Sequence, residues 1–289
     1  MKAIKNFFVI GFISFVLLGA IFLFQLTQFY DGKLHVVFCN VGQGDGIYIR
    51  SPKGLNIVID GGPDDSILAC LAKHMPFWDR KIQLVIMTHP HEDHLTGLIY
   101  ILKNYKVLNF YSEKVQGKQA YQELTSLLEK KKIKSKQIFR GDRFILKDQV
   151  ILATIWPKQN YQLAQEADLD ANGQSIIELL TFGNFNVLLT GDGKLGEGED
   201  FSSLGVDVLK VAHHGSKVNT NKNILEEINP KLAVITVGKN RFGHPSKETL
   251  EALKSLGIKT LRTDLDGDIE VVSDGKTWEI KSVNSTGVK

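Results

Sequence analysis

Five times in this chain a short apolar run stops abruptly at a polar cluster. Ile57-Val58-Ile59 ends in Asp60-Gly61-Gly62, and Val85-Ile86-Met87 ends in Thr88-His89-Pro90-His91-Glu92-Asp93-His94. Leu188-Leu189 runs into Thr190-Gly191-Asp192, and Leu209-Lys210-Val211 into Ala212-His213-His214-Gly215-Ser216. The run at 232–237 leads into Gly238-Lys239-Asn240-Arg241-Phe242-Gly243-His244-Pro245. Short apolar runs bounded by Gly, Pro and Asn read as buried strands. Open α/β sheets carry their functional side chains at strand tips. Six of the eight histidines fall at these tips; only His35 and His74 do not.

The segment H-x-H-x-D-H, His89 to His94, holds imidazole and carboxylate groups at a density that points to divalent metal. Singly, an aspartate after a strand is usually a turn residue or helix cap, and a lone buried histidine usually satisfies core hydrogen bonds. Five tips together read as a site for one or two ions. Two ions about 3.5–4 Å apart share a water or hydroxide whose pKa falls toward about 7. A carboxylate between them fixes the spacing, and Asp192 is the candidate.

Strand-like runs at 34–40, 47–51, 55–60, 83–87, 150–156, 175–181, 185–189, 206–211, 232–237 and 259–261 alternate with helical patterns at 65–73, 93–102, 119–131, 221–228 and 247–256. Gly183-Asn184 turns a hairpin, two closing strands flank Ser273-Asp274-Gly275, and polar 159–173 reads as a loop. No Pro- or Ser-rich linker divides residues 31–289, so they are expected to form one domain. Residues 1–30 form a second unit. Phe7 to Phe24 carries no charge and follows Lys2 and Lys5. Such a run is just long enough to span a bilayer as a helix, and with the lysines inside, the domain faces outward. The run lacks a small-residue cleavage site, so a signal anchor in the cell membrane is expected.

A net charge of +3 is too small to argue for nucleic acid alone. In an exported domain Cys39 and Cys70 could pair, but each sits in an apolar stretch, where free thiols are common, and unpaired cysteines are the leading expectation. Gly42-Gln43-Gly44-Asp45-Gly46 precedes a strand rather than a helix, so it reads as a hairpin and not as a phosphate loop. No nucleotide cofactor is expected. Asp264 to Asp268 lacks the glycine and glutamate placement of a calcium loop. The lysines of 130–136 read as a solvated helix end.

The motif H-x-H-x-D-H after an apolar strand resembles the signature of the metallo-β-lactamase fold superfamily. Phe38-Cys39-Asn40-Val41-Gly42-Gln43-Gly44-Asp45, Leu-Leu-Thr-Gly-Asp, Lys-Val-Ala-His-His-Gly-Ser and Gly-His-Pro resemble its ComEC/Rec2 competence-protein branch. The resemblance covers about residues 34–272 and implies an α/β, four-layer αββα sandwich, which here would follow the transmembrane helix expected from the apolar run. It implies that His89 and His91 bind a first metal, Asp93 and His94 a second, and that Asp192 bridges. A later histidine completes the second site. His213, His214 and His244 all qualify; the His213-His214 pair is preferred, with His244 as ligand or proton donor. Asp45 and Asp60 look like groups that orient the ligands.

Many superfamily members supply a third histidine to the first metal from the region before the bridging aspartate. Here that region reads Asp170-Ala171-Asn172-Gly173-Gln174-Ser175, without histidine. Asn172 or Ser175 is therefore expected near substrate or water, and Lys210, Ser216 and Asn240 on the substrate side. Zinc or manganese suits the donor set. The resemblance implies a metal-dependent hydrolase of phosphodiesters, with Asp93, Asp192 and His244 in the chemistry and DNA as leading substrate. A cell-envelope phosphodiesterase acting on phosphocholine or teichoic acid is the enzymatic rival, and a catalytically weak metal-binding module the non-enzymatic one. With one apolar span, the chain itself is not expected to form a DNA pore.

Overall fold

The structure is a computed structural model that describes residues 2–112, 119–159, 171–196 and 201–282. Its organisation follows from strict alternation within the apolar strands. In β1 (Leu34–Phe38), Leu34, Val36 and Phe38 enter one apolar cluster, while Val37 and the following Cys39 enter another. A strand buried on both faces needs a layer on each side.

β1, β2 (Gly46–Arg50) and β3 (Asn56–Gly61) form an antiparallel meander. Helix α2 (Ser66–His74; α1, Lys2–Phe29, lies at the N-terminus) returns the chain to the sheet. After the two-residue β4 (Lys81–Ile82) comes β5 (Leu84–Met87), parallel to β3. Helix α3 (Glu92–Asn104) leads to β6 (Lys106–Val107) and β7 (Phe110–Ser112), and α4 (Gln119–Lys130) to β8 (Ser135–Lys136). The second sheet begins with β9 (Arg143–Ile145), β10 (Ile151–Trp156), β11 (Ile177–Phe182) and β12 (Phe185–Leu189), all antiparallel. It continues in parallel through β13 (Val208–Lys210), β14 (Leu232–Ile235) and β15 (Lys259–Arg262). Helices Lys222–Ile228 and Lys247–Ser255 make two of those crossovers. β16 (Ile269–Ser273) and β17 (Trp278–Ser282) return to the first sheet.

The sheet orders are β17-β16-β1-β2-β3-β5-β7-β8 and β15-β14-β13-β12-β11-β10-β9, with β4-β6 as a small pair. One apolar cluster lies between the sheets, a second packs α2, α3 and α4 on the first sheet, and a third packs the later helices on the second. These are the four layers of an αββα sandwich. The tips of β3, β5, β12, β13 and β14 meet at one edge of it.

Three expectations need revision or a boundary. Cys39 and Cys70 are not free thiols: they form a disulfide with a Cα–Cα distance of 5.8 Å. Both lie in the apolar layer between β1 and α2, and burial alone does not separate a free thiol from a paired one. The short strands β4, β6, β7, β8 and β9 went unread because two or three residues carry no period. Residues 160–170 of the polar loop, Asp170 included, lie outside the described residues.

Helix α1 runs Lys2–Phe29. Its described side chains from Phe8 to Phe24 are all exposed. Among the described residues no helix is long and apolar enough to cross a membrane. Its end is fixed to the domain: Arg50 Nε donates to the Phe29 carbonyl (2.9 Å) and the guanidinium sits 4.8 Å from the Tyr30 ring centre.

Candidate metal centre

Each of the five tips delivers a side chain to the same small volume. Asp60, at the end of β3, has φ +57°, a left-handed backbone that is uncommon outside glycine and asparagine-like residues. That conformation turns its buried carboxylate toward β5. Oδ1 accepts the Thr88 N–H at 2.8 Å and Oδ2 accepts the Thr88 hydroxyl at 2.6 Å. Oδ2 also accepts His94 Nδ1–H at 2.8 Å. With Nδ1 so occupied, His94 presents Nε2 inward, 3.3 Å from Asp192 Oδ1.

His89 is fully buried, and its Nε2 lies 3.7 Å from Asp192 Oδ2. His91 is half-buried, its ring 4.6 Å from that of His89. The next turn opens α3, where Asp93 lies 3.4 Å from His214 Nε2. The hairpin motif Gly42-Gln43-Gly44 explains itself here. Gly44 has φ +147° and a Cβ there would strike the Asp93 carbonyl. That close approach lets the Asp45 N–H donate to Asp93 O at 3.2 Å and carries the Asp45 carboxylate under the site.

At the tip of β13, His213 and His214 both adopt left-handed backbone, φ +48° and +53°. The two rings diverge. His214 Nδ1–H donates to the Thr236 carbonyl at 2.8 Å, and its Nε2 lies 3.6 Å from Asp192 Oδ1. His213 turns to the other oxygen, Nε2 lying 3.7 Å from Asp192 Oδ2. Asp192 therefore faces two groups, His94 and His214 at Oδ1, His89 and His213 at Oδ2. Ligand atoms of Asp93, His94, Asp192 and His214 all lie within 4.8 Å of one another. The preferred histidine pair is thus divided between the two sides of Asp192.

His89 Nε2, His94 Nε2, His214 Nε2 and Asp192 Oδ1 are buried and accept or donate no hydrogen bond. Leaving one buried polar atom unpaired costs about 1–3 kcal/mol. Four that converge fit a divalent cation bound by nitrogen and oxygen.

The charges of the metal-free site are mutually set. Burial opposes the imidazolium of His94, yet Asp192, Asp60 and Asp45 outweigh it and raise its pKa well above the usual value. His214 is raised for the same reason, burial being overcome by Asp192, Asp93 and Asp45. Burial would push Asp192 up, but His94, His214 and His89 hold it well below the carboxylate range. His89 is pushed well down by burial and by His94. Burial also lowers His244, with help from His213 and His214.

Several residues expected at substrate support the site from behind. Lys210 is fully buried. Its ammonium pairs with Asp45 Oδ2, donates to the Gly191 carbonyl at 2.7 Å, and lies 3.9 Å from Asp192 Oδ1. Ser175 is also fully buried; its Oγ accepts the Asp192 N–H at 3.0 Å and lies 3.4 Å from His89 Nδ1. Ser216 is buried, its N–H bonded to the His213 carbonyl. Asn240 folds its own loop, with Nδ2 donating to the Gly238 and His244 carbonyls. Asn172 is half-buried in the turn Ala171–Gln174, and its carbonyl accepts the Ser175 N–H. His244 stands at the mouth, its ring 5.3 Å from that of His213. Asp45 also accepts the Thr236 hydroxyl and lies 3.4 Å from His214 Nδ1, so it steadies both inward histidines with Asp60.

Sequence reading missed Thr88, Thr236 and Asn219. Asn219 Oδ1 lies 3.1 Å from His213 Nδ1 and its Nδ2 donates to the Asp192 carbonyl at 2.9 Å. Thr88 opens the histidine motif and Thr236 precedes Val237, so both stood at strand tips already marked; Asn219 carried no such signal. His35 and His74, away from the tips, pair with Glu270, Asp31 and Asp268.

This fold and edge-bound histidine–aspartate cluster define a metal-binding αββα protein, and the chain belongs to the metallo-beta-lactamase superfamily, whose model matches residues 39–239. Within it, the chain is similar to competence proteins. It is 27% identical to ComE operon protein 3 of Bacillus subtilis (strain 168) over 294 residues, covering 93% of this chain and 36% of that protein. It is 34% identical to Recombination protein 2 of Haemophilus influenzae over 103 residues, 35% of this chain and 13% of that one. The chain thus spans about a third or less of these relatives' lengths. Among solved structures, the metallo-beta-lactamase fold protein YhfI of Bacillus subtilis superposes with a TM-score of 0.59 at 13% identity, covering 83% of this chain and all of that one. That likeness is one of fold.

Proposed function

We propose that this protein is a metal-dependent phosphodiesterase whose leading substrate is nucleic acid. The observation that carries the metal is the convergence of four buried atoms without a hydrogen bond, on His89, His94, His214 and Asp192. His94, Asp93 and His214 would hold one ion with Asp192 Oδ1. His89, His91 and His213 would hold another with Oδ2, His213 standing in for the histidine that 170–175 lacks. Bound zinc or manganese supplies a water of lowered pKa and neutralises phosphoryl oxygens.

The chain's own groups prepare that event. Asp60 and the Thr236 carbonyl fix the Nδ1 protons of His94 and His214, so both Nε2 atoms point inward. Lys210 balances Asp45 beneath them. His244, half-exposed at the mouth, is placed to hydrogen-bond the phosphoryl group or the leaving oxygen. The competence-protein similarity supports nucleic acid over an envelope polymer. The exposed apolar run of α1 would attach the domain to a membrane surface. The buried disulfide fits an oxidising compartment.

The test is metal analysis of the full chain in detergent, coupled to hydrolysis of bis-p-nitrophenyl phosphate and DNA with added manganese or zinc. Hydrolysis is expected, and Asp192→Ala or His91→Ala should reduce it by at least about a hundredfold. Undiminished activity in Asp192→Ala would end the two-ion assignment, and inertness on every phosphodiester would end the hydrolase reading.

A further inference from the structure

Three rings form a row that begins at the candidate metal centre and ends in solvent. His213 Nε2 lies 3.7 Å from Asp192 Oδ2. The His213 and His244 ring centres are 5.3 Å apart, and the Phe242 ring stacks beyond His244 at 6.1 Å with 24° between planes. Phe242 is 75% exposed. A single exposed phenylalanine is ordinary on a protein surface. This one is held out by a built loop: Asn240 Nδ2 donates to the Gly238 and His244 carbonyls, and its Oδ1 accepts the N–H groups of Phe242 and His244. The ring is therefore displayed by four hydrogen bonds.

The two loops themselves carry charge of one sign. Segments 213–222 and 238–247 contain four lysines and one arginine but no acidic residue. Lys217, Lys222 and Lys247 pair with Glu248, Glu226 and Glu251. Lys239 and Arg241 are exposed and make no ion pair among the described residues. A displayed aromatic face between uncommitted cations is the arrangement that holds unpaired bases and their phosphates. Duplex bases are stacked on each other and cannot reach a protruding ring. A polyol-phosphate polymer offers charge but no flat face.

We propose that loop 239–244 is the specificity platform of this site. Phe242 stacks a base beside the phosphodiester of a single-stranded nucleic acid, and Lys239 and Arg241 hold the flanking phosphates. This rests on the phosphodiesterase reading for the identity of the site, and it adds the residues that choose the substrate.

The experiment measures binding apart from turnover. Full-length protein in detergent with EDTA is titrated into a fluorescent single-stranded oligonucleotide and into an abasic strand of equal length. Wild type should prefer the base-bearing strand. Phe242→Ala should weaken that strand by about tenfold or more and leave the abasic one within about twofold, with Phe242→Trp restoring the preference. Arg241→Gln should weaken both strands and reduce the salt slope by about one. Equal affinity of wild type for both strands, or equal losses in Phe242→Ala, overturns the platform. Parallel hydrolysis assays separate the two claims: base-selective binding without cleavage retires the hydrolase alone, and cleavage indifferent to Phe242 retires the platform alone.

Discussion

Glu178 offers a prediction that can be worked through in numbers. It lies on β11, fully buried, with Oε1 accepting the Thr154 hydroxyl at 2.8 Å and Oε2 without a partner. Burial pushes its carboxyl up to about 8, from an ordinary value of 4.5. Because the folded pKa is the higher one, the native state binds more protons than the unfolded chain between those values. Stability from this group is whole below pH 4.5 and is lost as pH rises toward 8. By linkage the loss between pH 5 and 8 is about 3 kcal/mol, with a ceiling of about 5 kcal/mol above both pKa values. Glu178→Gln keeps the Thr154 acceptor and removes the titration. Urea unfolding of wild type and variant across pH 5 to 8 isolates the effect, since other groups cancel in the difference. The variant should gain about 3 kcal/mol on wild type over that range, whatever the offset between them at pH 5. A wild-type-minus-variant difference that stays flat with pH would refute the assignment of a neutral, buried Glu178.

Two further outcomes follow from the metal site. Lys210→Met strands Asp45 beneath the site and should cost about 3–5 kcal/mol, whereas the double change with Asp45→Leu should cost far less than the two singles added. Strict additivity in chemical denaturation would show that the buried pair is not coupled. Metal binding must displace protons from His94 and His214, whose pKa values are raised in the metal-free protein. Affinity for zinc or manganese should therefore fall by about tenfold per displaced proton for each unit of lowered pH, with matching proton release by calorimetry in buffers of different ionisation heat. A pH-independent affinity would contradict it.

The strand tips were legible because each joined a strong apolar run to a polar break, and those breaks hold Asp60, His89, Asp192 and His214. The dipeptide His213-His214 was not divisible by sequence, since two left-handed residues in succession send adjacent rings to opposite oxygens of Asp192. Lys210 was misplaced although a signal existed. Period two puts it on the same face as Val208, between the sheets, where a lysine must find a buried carboxylate. Ser175 was read as the first residue of a strand near substrate, but the strand starts at Ile177 and Ser175 serves Asp192 from the turn before it. The disulfide depended on a three-dimensional meeting of β1 and α2 that neither flanking sequence records.

The pairing of β1 with β16 sets a timetable for synthesis. Residues joined across these strands, such as His35 and Glu270, are 235 positions apart. At about 5–20 residues per second, the ribosome takes roughly 10–50 s to supply the partner strand. Through that interval β1 has β2 on one side and an open row of backbone donors and acceptors on the other, a template for unwanted pairing. A chain interrupted before Ile269 would keep that edge open, so β16 acts as the seal on β1.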